Sequence, residues 1–318
     1  MNEHELYLSV VVPVYNEEGA IADLHGKILL ACQKLNKPFE IVFINDGSKD
    51  KTLDVLKSLS PIKIINFRKN FGQTAAMDAG IKASRGFYLA TLDGDGQNDP
   101  EDIEHLIAKL EADDLDVVSG WRKYRKDTFF KKFFSRCAAL VRKLLINDGI
   151  HDSGCSLKIY KRECFNHLDL VGEMHRFIPA LLRIKGFRVG ELPVKHHPRT
   201  TGKTKYNIKR GFKGLLDMMS VYFWKRYSSR PLHFFGGIGL VLIAISAISG
   251  LFSIYQKIFM HRDLSNTSFT ELSMFGFMIG LQFFVFGLIA DILSKTYFNV
   301  SKDKVYDIKE VIENKNLL

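Results

Sequence analysis

The chain has 318 residues, 46% of them apolar and 25% charged, enough to bury a core and too apolar for a disordered chain. Its net charge of +10 is local: residues 122–143 are net +8 and residues 195–213 net +7, leaving the rest at about −5. This points to an anionic surface or ligand, with solvated basic faces as the alternative. The four cysteines (Cys32, Cys137, Cys155, Cys164) show neither a CxxC pair nor a framework spacing, which argues against a disulfide scaffold and for reduced thiols facing the cytosol.

The chain enters "LYLSVVVPVYN" almost at once, with no basic region ahead of a longer apolar stretch, so no signal peptide is expected. Apolar runs predict strands over 8–14, 39–45, 62–67, 87–92 and 115–120. Helical patterns fall between them over 17–35, 50–59, 72–84 and 100–112. This alternation predicts an α/β domain with a mostly parallel, Rossmann-like sheet and helices on both faces. Ligands of such sheets bind beyond the carboxyl ends of the strands. Tyr15, Asn16 and Glu17 follow the first run, Asp46 the second, and Asp93 and Asp95 the fourth. Neither a G-x-G-x-x-G after the first strand nor a G-x-x-x-x-G-K-[ST] is present, so dinucleotide and P-loop binding lose their usual support.

Residues 127–146 set Phe130, Phe133, Phe134, Leu140, Val141, Leu144 and Leu145 among basic residues, predicting an amphipathic helix on the membrane surface; a core-facing helix is the alternative. Residues 207–230 begin similarly, as a juxtamembrane helix. Two apolar runs follow, Leu232–Tyr255 and Leu272–Ala290. The first, as a helix of about 36 Å, crosses a hydrocarbon core of about 30 Å with some tilt. Transmembrane helices are therefore expected over 231–256 and 271–293, after a catalytic domain over 1–206 and before a tail over 294–318. Lys225, Arg226 and Arg230 precede the first span and Lys295, Lys302 and Lys304 follow the second, whereas the connecting loop has Lys257 and Arg262. By the positive-inside rule both termini are cytoplasmic. Basic stretches interleaved with aromatics beside two spans argue for membrane lipids and against nucleic acid as the partner.

Asp93 and Asp95, in "LDGDGQNDP", are carboxylates one residue apart that repel unless a cation lies between them. Mg²⁺ or Mn²⁺, hard ions that share carboxylates with substrate phosphates, suit them. A lone D-x-D is weak, but "VVPVYNEE" (11–18), "INDGSKDKT" (44–52), "FRKNFGQTAAMDAGI" (67–81) and "TLDGDGQNDPEDI" (91–103) stand in order at strand ends. This array resembles glycosyltransferase family 2 and its nucleotide-sugar-binding GT-A fold. "DSGCSLKIYKR" (152–162), "GEMHRFIPAL" (172–181) and "HHPRTTGKTKYN" (196–207), followed by two spans, resemble the polyprenyl-phosphate glycosyltransferases of that family.

The resemblance implies inverting transfer of one sugar from a nucleotide diphosphate to a polyprenyl phosphate, undecaprenyl or dolichyl, at the cytoplasmic face. UDP-hexose or UDP-N-acetylhexosamine is the favoured donor and GDP-mannose the next; a homo-oligomer is expected. Carried over by motif, Pro13, Tyr15, Glu17 and Asp46 frame the base and ribose, with Lys69 and Asn70 near the same pocket. Asp93 faces the nucleotide, Asp95 ligates the metal, and Gln97 touches metal or sugar. An N-cap or Asx turn in "NDGS" is the alternative for Asp46, and a solvated lysine for Lys69. A lipid phosphate is already ionised and needs positioning more than a base, so Arg122, Lys123, Arg199, Lys203 and Lys205 become acceptor-phosphate candidates, with lipid-headgroup attraction as the alternative. Asp152 and Glu173 are then expected to orient basic residues or substrate. Asp95, Arg122 and Asp152 form the expected catalytic set. "EMHRF" (173–177) departs from the Q-x-x-R-W of processive synthases, and His175 reads as a structural hydrogen-bonding residue rather than a metal ligand. Direct or processive transfer to a glycan, and a silent nucleotide-sugar-sensing scaffold, are the alternatives.

Overall fold

The computed structural model describes residues 6–123, 149–166, 174–198, 230–261 and 268–300, with isolated positions between them. The chain divides into two compact units, Met1–Tyr222 and Phe223–Leu318.

In the first unit, β1 (Leu8–Val14), α1 (Ile21–Lys34), β2 (Phe39–Asn45), α2 (Thr52–Lys57), β3 (Lys63–Asn66), α3 (Gln73–Ala83), β4 (Tyr88–Thr91), α4 (Asp102–Ala112) and β5 (Val117–Trp121) follow the predicted rhythm closely. Then come β6 (Lys158–Lys161), short 3₁₀ turns at Arg162–Phe165 and Met174–Arg176, α5 (Ile178–Ile184) and β7 (Val189–Pro193). Among the described residues the strands form one sheet ordered β3-β2-β1-β4-β6-β5-β7. The first four pair in parallel, as expected. β6, which no periodicity announced, enters antiparallel between β4 and β5. Its register sets Lys158 opposite Thr91, the last residue of β4.

Strand alternation explains the two-sided core. Leu8, Val10, Val12 and Val14 pack in one cluster with Ile21, Leu24 and Ile28 of α1 and Ile103, Leu106 and Leu110 of α4. Val11 turns to the other face, with Val42, Ile44 and Ala76 of α3. α3 approaches this face closely: a Cβ on Gly80 would lie 2.5 Å from both Ile44 Cδ1 and Val11 Cγ1. β1, buried along its whole length, is thus a fixed platform for the loops at its carboxyl end.

The second unit contains α6 (Pro231–Met260) and α7 (Ser268–Val300). Their apolar windows have mean hydropathies of 2.3 and 2.0, with 22% and 11% buried inside the protein; a soluble core helix would be mostly buried. Small residues line the contact between them. A Cβ on Gly239 would lie 2.6 Å from the Gly280 carbonyl oxygen, and Ser246, Ser249 and Ser253 are buried. The outer faces expose Leu240, Val241, Phe275 and Met278. α6 ends four residues beyond the predicted span, and α7 reaches Val300 rather than 293. Residues 127–146, most of 207–230 and the tail beyond 300 lie outside the described residues.

Candidate active site

Three loops meet beyond the carboxyl ends of β1, β2 and β4. The first two are tied by backbone-directed bonds: Asn16 N–H to Ser48 Oγ (2.9 Å), Lys49 N–H to Asn16 Oδ1 (2.8 Å) and Glu17 N–H to Thr52 Oγ1 (3.0 Å). Pro13 is buried at the root, while Tyr15 and Glu17 are half-buried. Within "NDGS" the local side-chain bond is made by Asn45, whose Oδ1 accepts the Ser48 N–H at 3.2 Å. Asp46 reaches further. Its two oxygens accept the N–H groups of Phe71 (2.7 Å) and Gly72 (3.0 Å), just before α3. Gly47 permits this approach: it has φ +65°, and a Cβ there would lie 2.3 Å from the Lys69 carbonyl carbon. Lys69 and Asn70 are exposed on the loop so fixed, and the Lys69 ammonium lies 5.1 Å from the Phe71 ring centroid.

The third loop carries Asp93 and Asp95. The Asp93 N–H donates to Ser156 Oγ (3.1 Å), and the Gln73 amide donates to Asp93 Oδ1 (2.6 Å). Burial, and next the charge of Asp95, push the Asp93 carboxyl above its ordinary value; Ser156, Lys158 and Arg122 pull it down without cancelling the rise. Asp95 Oδ1 accepts only the Gln97 N–H among the described residues, at 3.2 Å. Asp93 and Asp95 thus offer hard oxygens in a place where added positive charge relieves a strained ionisation. Among the described residues no three His, Cys, Asp or Glu side chains form a cage. The donor set therefore fits an ion that keeps water or substrate phosphate in its shell, as Mg²⁺ and Mn²⁺ do.

Arg122, just past β5, meets Asp152 in a fork: Nε to Oδ2 at 2.7 Å, Nη2 to Oδ1 at 2.9 Å, and its own N–H to Oδ2 at 3.3 Å. Burial opposes ionisation of both partners, yet their contact raises the Arg122 pKa and lowers that of Asp152. Trp121 and His151 stack behind this bridge with ring centroids 4.5 Å apart, and Glu191 hydrogen-bonds the His151 ring. Lys123 places its ammonium 5.3 Å from the Trp121 ring centroid. Arg199, Lys203, Lys205 and Glu173 lie outside the described residues.

Downstream of the D-x-D, Gln97–Asp102 is fastened to residues 195–197. His197 N–H donates to the Gln97 carbonyl (2.8 Å), Lys195 N–H to Asp102 Oδ2 (2.7 Å), and His197 Nε2 lies 3.2 Å from Asp99 Oδ2. Asn98 donates to Ser156 Oγ at 2.6 Å. His175 hydrogen-bonds Thr74 through Nδ1 at 2.7 Å.

Gln73, Ser156, Lys158 and Arg176, none of them a site residue expected from sequence, line a pocket beside Asp93. Lys158 stood out only as a charge inside the apolar run "SLKIY", and without β6 there was no reason to place it beside Thr91.

Residues 9–169 match the model of glycosyl transferase family 2, and residues 230–296 match the GtrB C-terminal hairpin. The chain is 37% identical to a dodecaprenyl-phosphate galacturonate synthase of Rhizobium johnstonii, over 98% of this chain and 94% of that one. It is 30% identical to an undecaprenyl-phosphate 4-deoxy-4-formamido-L-arabinose transferase of Pseudomonas fluorescens, over 97% and 91%. Among solved structures, glucosyl-3-phosphoglycerate synthase from Mycobacterium tuberculosis, in complex with Mn²⁺, UDP and glucosyl-3-phosphoglycerate, superposes with a TM-score of 0.53 at 14% identity, covering 69% of this chain and 80% of that chain. Mannosyl-3-phosphoglycerate synthase from Rubrobacter xylanophilus gives 0.55 at 14% identity, covering 69% and 74%.

Proposed function

The chain belongs to glycosyl transferase family 2, and from that premise we propose that it moves one sugar from a nucleotide diphosphate to a polyprenyl phosphate, with inversion, at the cytoplasmic membrane face. The observation that carries this reading is the pairing of an acidic couple, Asp93 and Asp95, with a fixed guanidinium, Arg122, whose charge acts on Asp93. One side of the centre suits a cation-bound diphosphate and the other an anionic acceptor. The apolar hairpin suits a membrane-borne acceptor. Relatives named for dodecaprenyl and undecaprenyl phosphates support that acceptor class, and the UDP-bound structural neighbour supports a uridine donor. The basic residues flanking both spans support the cytoplasmic placement.

Pro13, Tyr15 and Glu17, with the loop that Asp46 holds at Phe71 and Gly72, bind and orient the base and ribose. Asp93 and Asp95, with Gln97 beside them, would hold the divalent ion. When bound, that ion supplies Lewis-acid stabilisation of the departing diphosphate. Arg122, kept in its rotamer by Asp152, orients the acceptor phosphate and screens its charge. Lys123, and Arg199, Lys203 and Lys205 of the basic stretch 195–213, add to the attraction. A lipid monophosphate has a second pKa of about 6 and is largely dianionic at neutral pH, so no side chain has to remove a proton. Asp152 therefore serves as a positioning residue.

The test is transfer from UDP-sugars to undecaprenyl phosphate by the purified full chain in detergent, with Mg²⁺ or Mn²⁺. Label is expected in the organic phase, and Asp95→Ala is expected to abolish its appearance. Undiminished transfer by Asp95→Ala would overturn the metal assignment.

A further inference from the structure

The two polyprenyl-phosphate relatives are named for sugars as different as galacturonate and a formamido-arabinose, so family membership leaves the sugar open. The pocket beside Asp93 narrows it. Gln73, Asp93, Ser156, Lys158, His175 and Arg176 are among its walls, and its empty volume, part of it open to solvent, is about 420 Å³. Lys158 is 3% exposed. Two carbonyls hold its ammonium, Cys155 O at 2.5 Å and Ser153 O at 3.4 Å, and among the described residues no carboxylate pairs with it. Burial lowers its pKa, with Cys155, Asp152 and Asp93 acting in the opposite direction. A buried ammonium without a carboxylate partner costs free energy until an anion arrives.

We propose that this pocket receives a carboxylate carried on the donor sugar, so that the donor class is a nucleotide-linked uronic acid, with Lys158 and Arg176 as its specificity-determining cations. The inference rests on the sugar-transfer reading given above and replaces the plain hexose expected from sequence. Sugar hydroxyls ask for acceptors as well as donors. Here the wall is rich in donors. The one carboxylate, Asp93, already accepts from Gln73 and lies beside the ion site, and His175 Nδ1 is engaged with Thr74. Seating a neutral hexose would leave Lys158 buried with carbonyl partners alone. Seating a uronate gives it a counter-ion, with Arg176 lining the same pocket. Discrimination built on a buried polar group left unpaired by the wrong substrate is large.

Two measurements on the purified full chain test this. The first compares UDP-galacturonate and UDP-glucuronate with UDP-galactose and UDP-glucose, both as donors to undecaprenyl phosphate and as ligands in a Mn²⁺-containing binding assay without lipid. At least one uronate is expected to surpass its neutral counterpart by on the order of 100-fold in kcat/KM and to bind more tightly. The second uses Lys158→Met, close in volume, and Arg176→Gln. Each is expected to shrink the uronate-to-hexose ratio at least tenfold in both assays. Equal use of neutral and acidic sugars overturns the proposal, as does a parallel loss for both donors, which would assign these cations to the diphosphate. Preferential uronate binding without any lipid product would sustain the pocket assignment and refute the acceptor reading.

Discussion

Asp152 grips Arg122 through two parallel bonds, Nε to Oδ2 at 2.7 Å and Nη2 to Oδ1 at 2.9 Å, with the two side chains only 20% and 13% exposed. In sequence the two residues are 30 apart, and the stretch between them includes most of the basic run 122–143. Removing one partner leaves the other charge buried and unpaired. Asp152→Ala is expected to destabilise the protein by about 3 kcal/mol, at the lower edge of what broken buried pairs cost, and to lower its melting temperature. It is also expected to raise KM for the lipid phosphate at least tenfold while KM for the nucleotide sugar changes less than threefold. Arg122→Lys keeps the charge but loses the fork, and is expected to reproduce the KM split with a smaller loss of stability.

The same pair predicts an acid limb. The folded Asp152 pKa lies below its unfolded value, so its contribution is complete above the ordinary Asp value near ~3.9 and disappears as pH falls through the folded value. Between pH 5 and pH 3 the melting temperature of the native protein is therefore expected to fall more steeply than that of Asp152→Asn. Parallel profiles would show that the bridge contributes nothing to acid stability.

Asp93 has the opposite sign. Burial and Asp95 raise its pKa, so its ionisation opposes folding, and the protein loses stability as pH rises through that value when no cation is present. Asp93→Asn keeps an acceptor for the Gln73 amide and removes the repulsion. In EDTA at pH 7 it is expected to raise the melting temperature by about 2–4 °C, while transfer falls at least 100-fold. A loss of both stability and activity would mean that the charge is already neutralised within the protein.

Gly47 tests whether the nucleotide side depends on one close contact. A Cβ at φ +65° would lie 2.3 Å from the Lys69 carbonyl carbon and displace the loop that Asp46 holds. Gly47→Ala is expected to cost about 1–3 kcal/mol and to raise KM for the donor more than for the lipid. An unshifted donor KM would separate the 69–72 loop from nucleotide binding.

Asp102 addresses the clamp between the acidic loop and residues 195–197. Its Oδ2 accepts the Lys195 N–H at 2.7 Å, a bond that an amide oxygen can replace. Asp102→Asn is expected to retain more than half of the wild-type rate, and Asp102→Ala to lose at least tenfold, with a raised requirement for Mn²⁺ because Gln97 is held through the same clamp.

The first five strands and four helices were legible because each has a clear period and a polar terminus. Asp46, Asp93 and Asp95 emerged with them, since strand ends in such sheets are where ligands bind. β6 and Lys158 were not legible. A four-residue antiparallel insertion has no periodicity of its own, and its partner β4 precedes it by some seventy residues. Nor did the sequence indicate that Asn45 would make the local bond to Ser48 while Asp46 reaches Phe71 and Gly72: both side chains suit a local bond, and the partners of Asp46 lie 25 and 26 residues on. The two apolar runs were plain from hydropathy, and both helices continue past them; in the second, Asp291 and Lys295 pair one turn apart within the helix.

In the proposed transfer an acceptor phosphate oxygen attacks the anomeric carbon of the sugar, and the bond from that carbon to the diphosphate breaks. The most direct measurement is the stoichiometry of nucleotide and lipid products in one reaction, by chromatography and mass spectrometry. One UDP is expected for each lipid formed, the lipid carrying the sugar through a single phosphate. Release of UMP with a diphosphate-linked lipid, or label confined to water-soluble products, would contradict it.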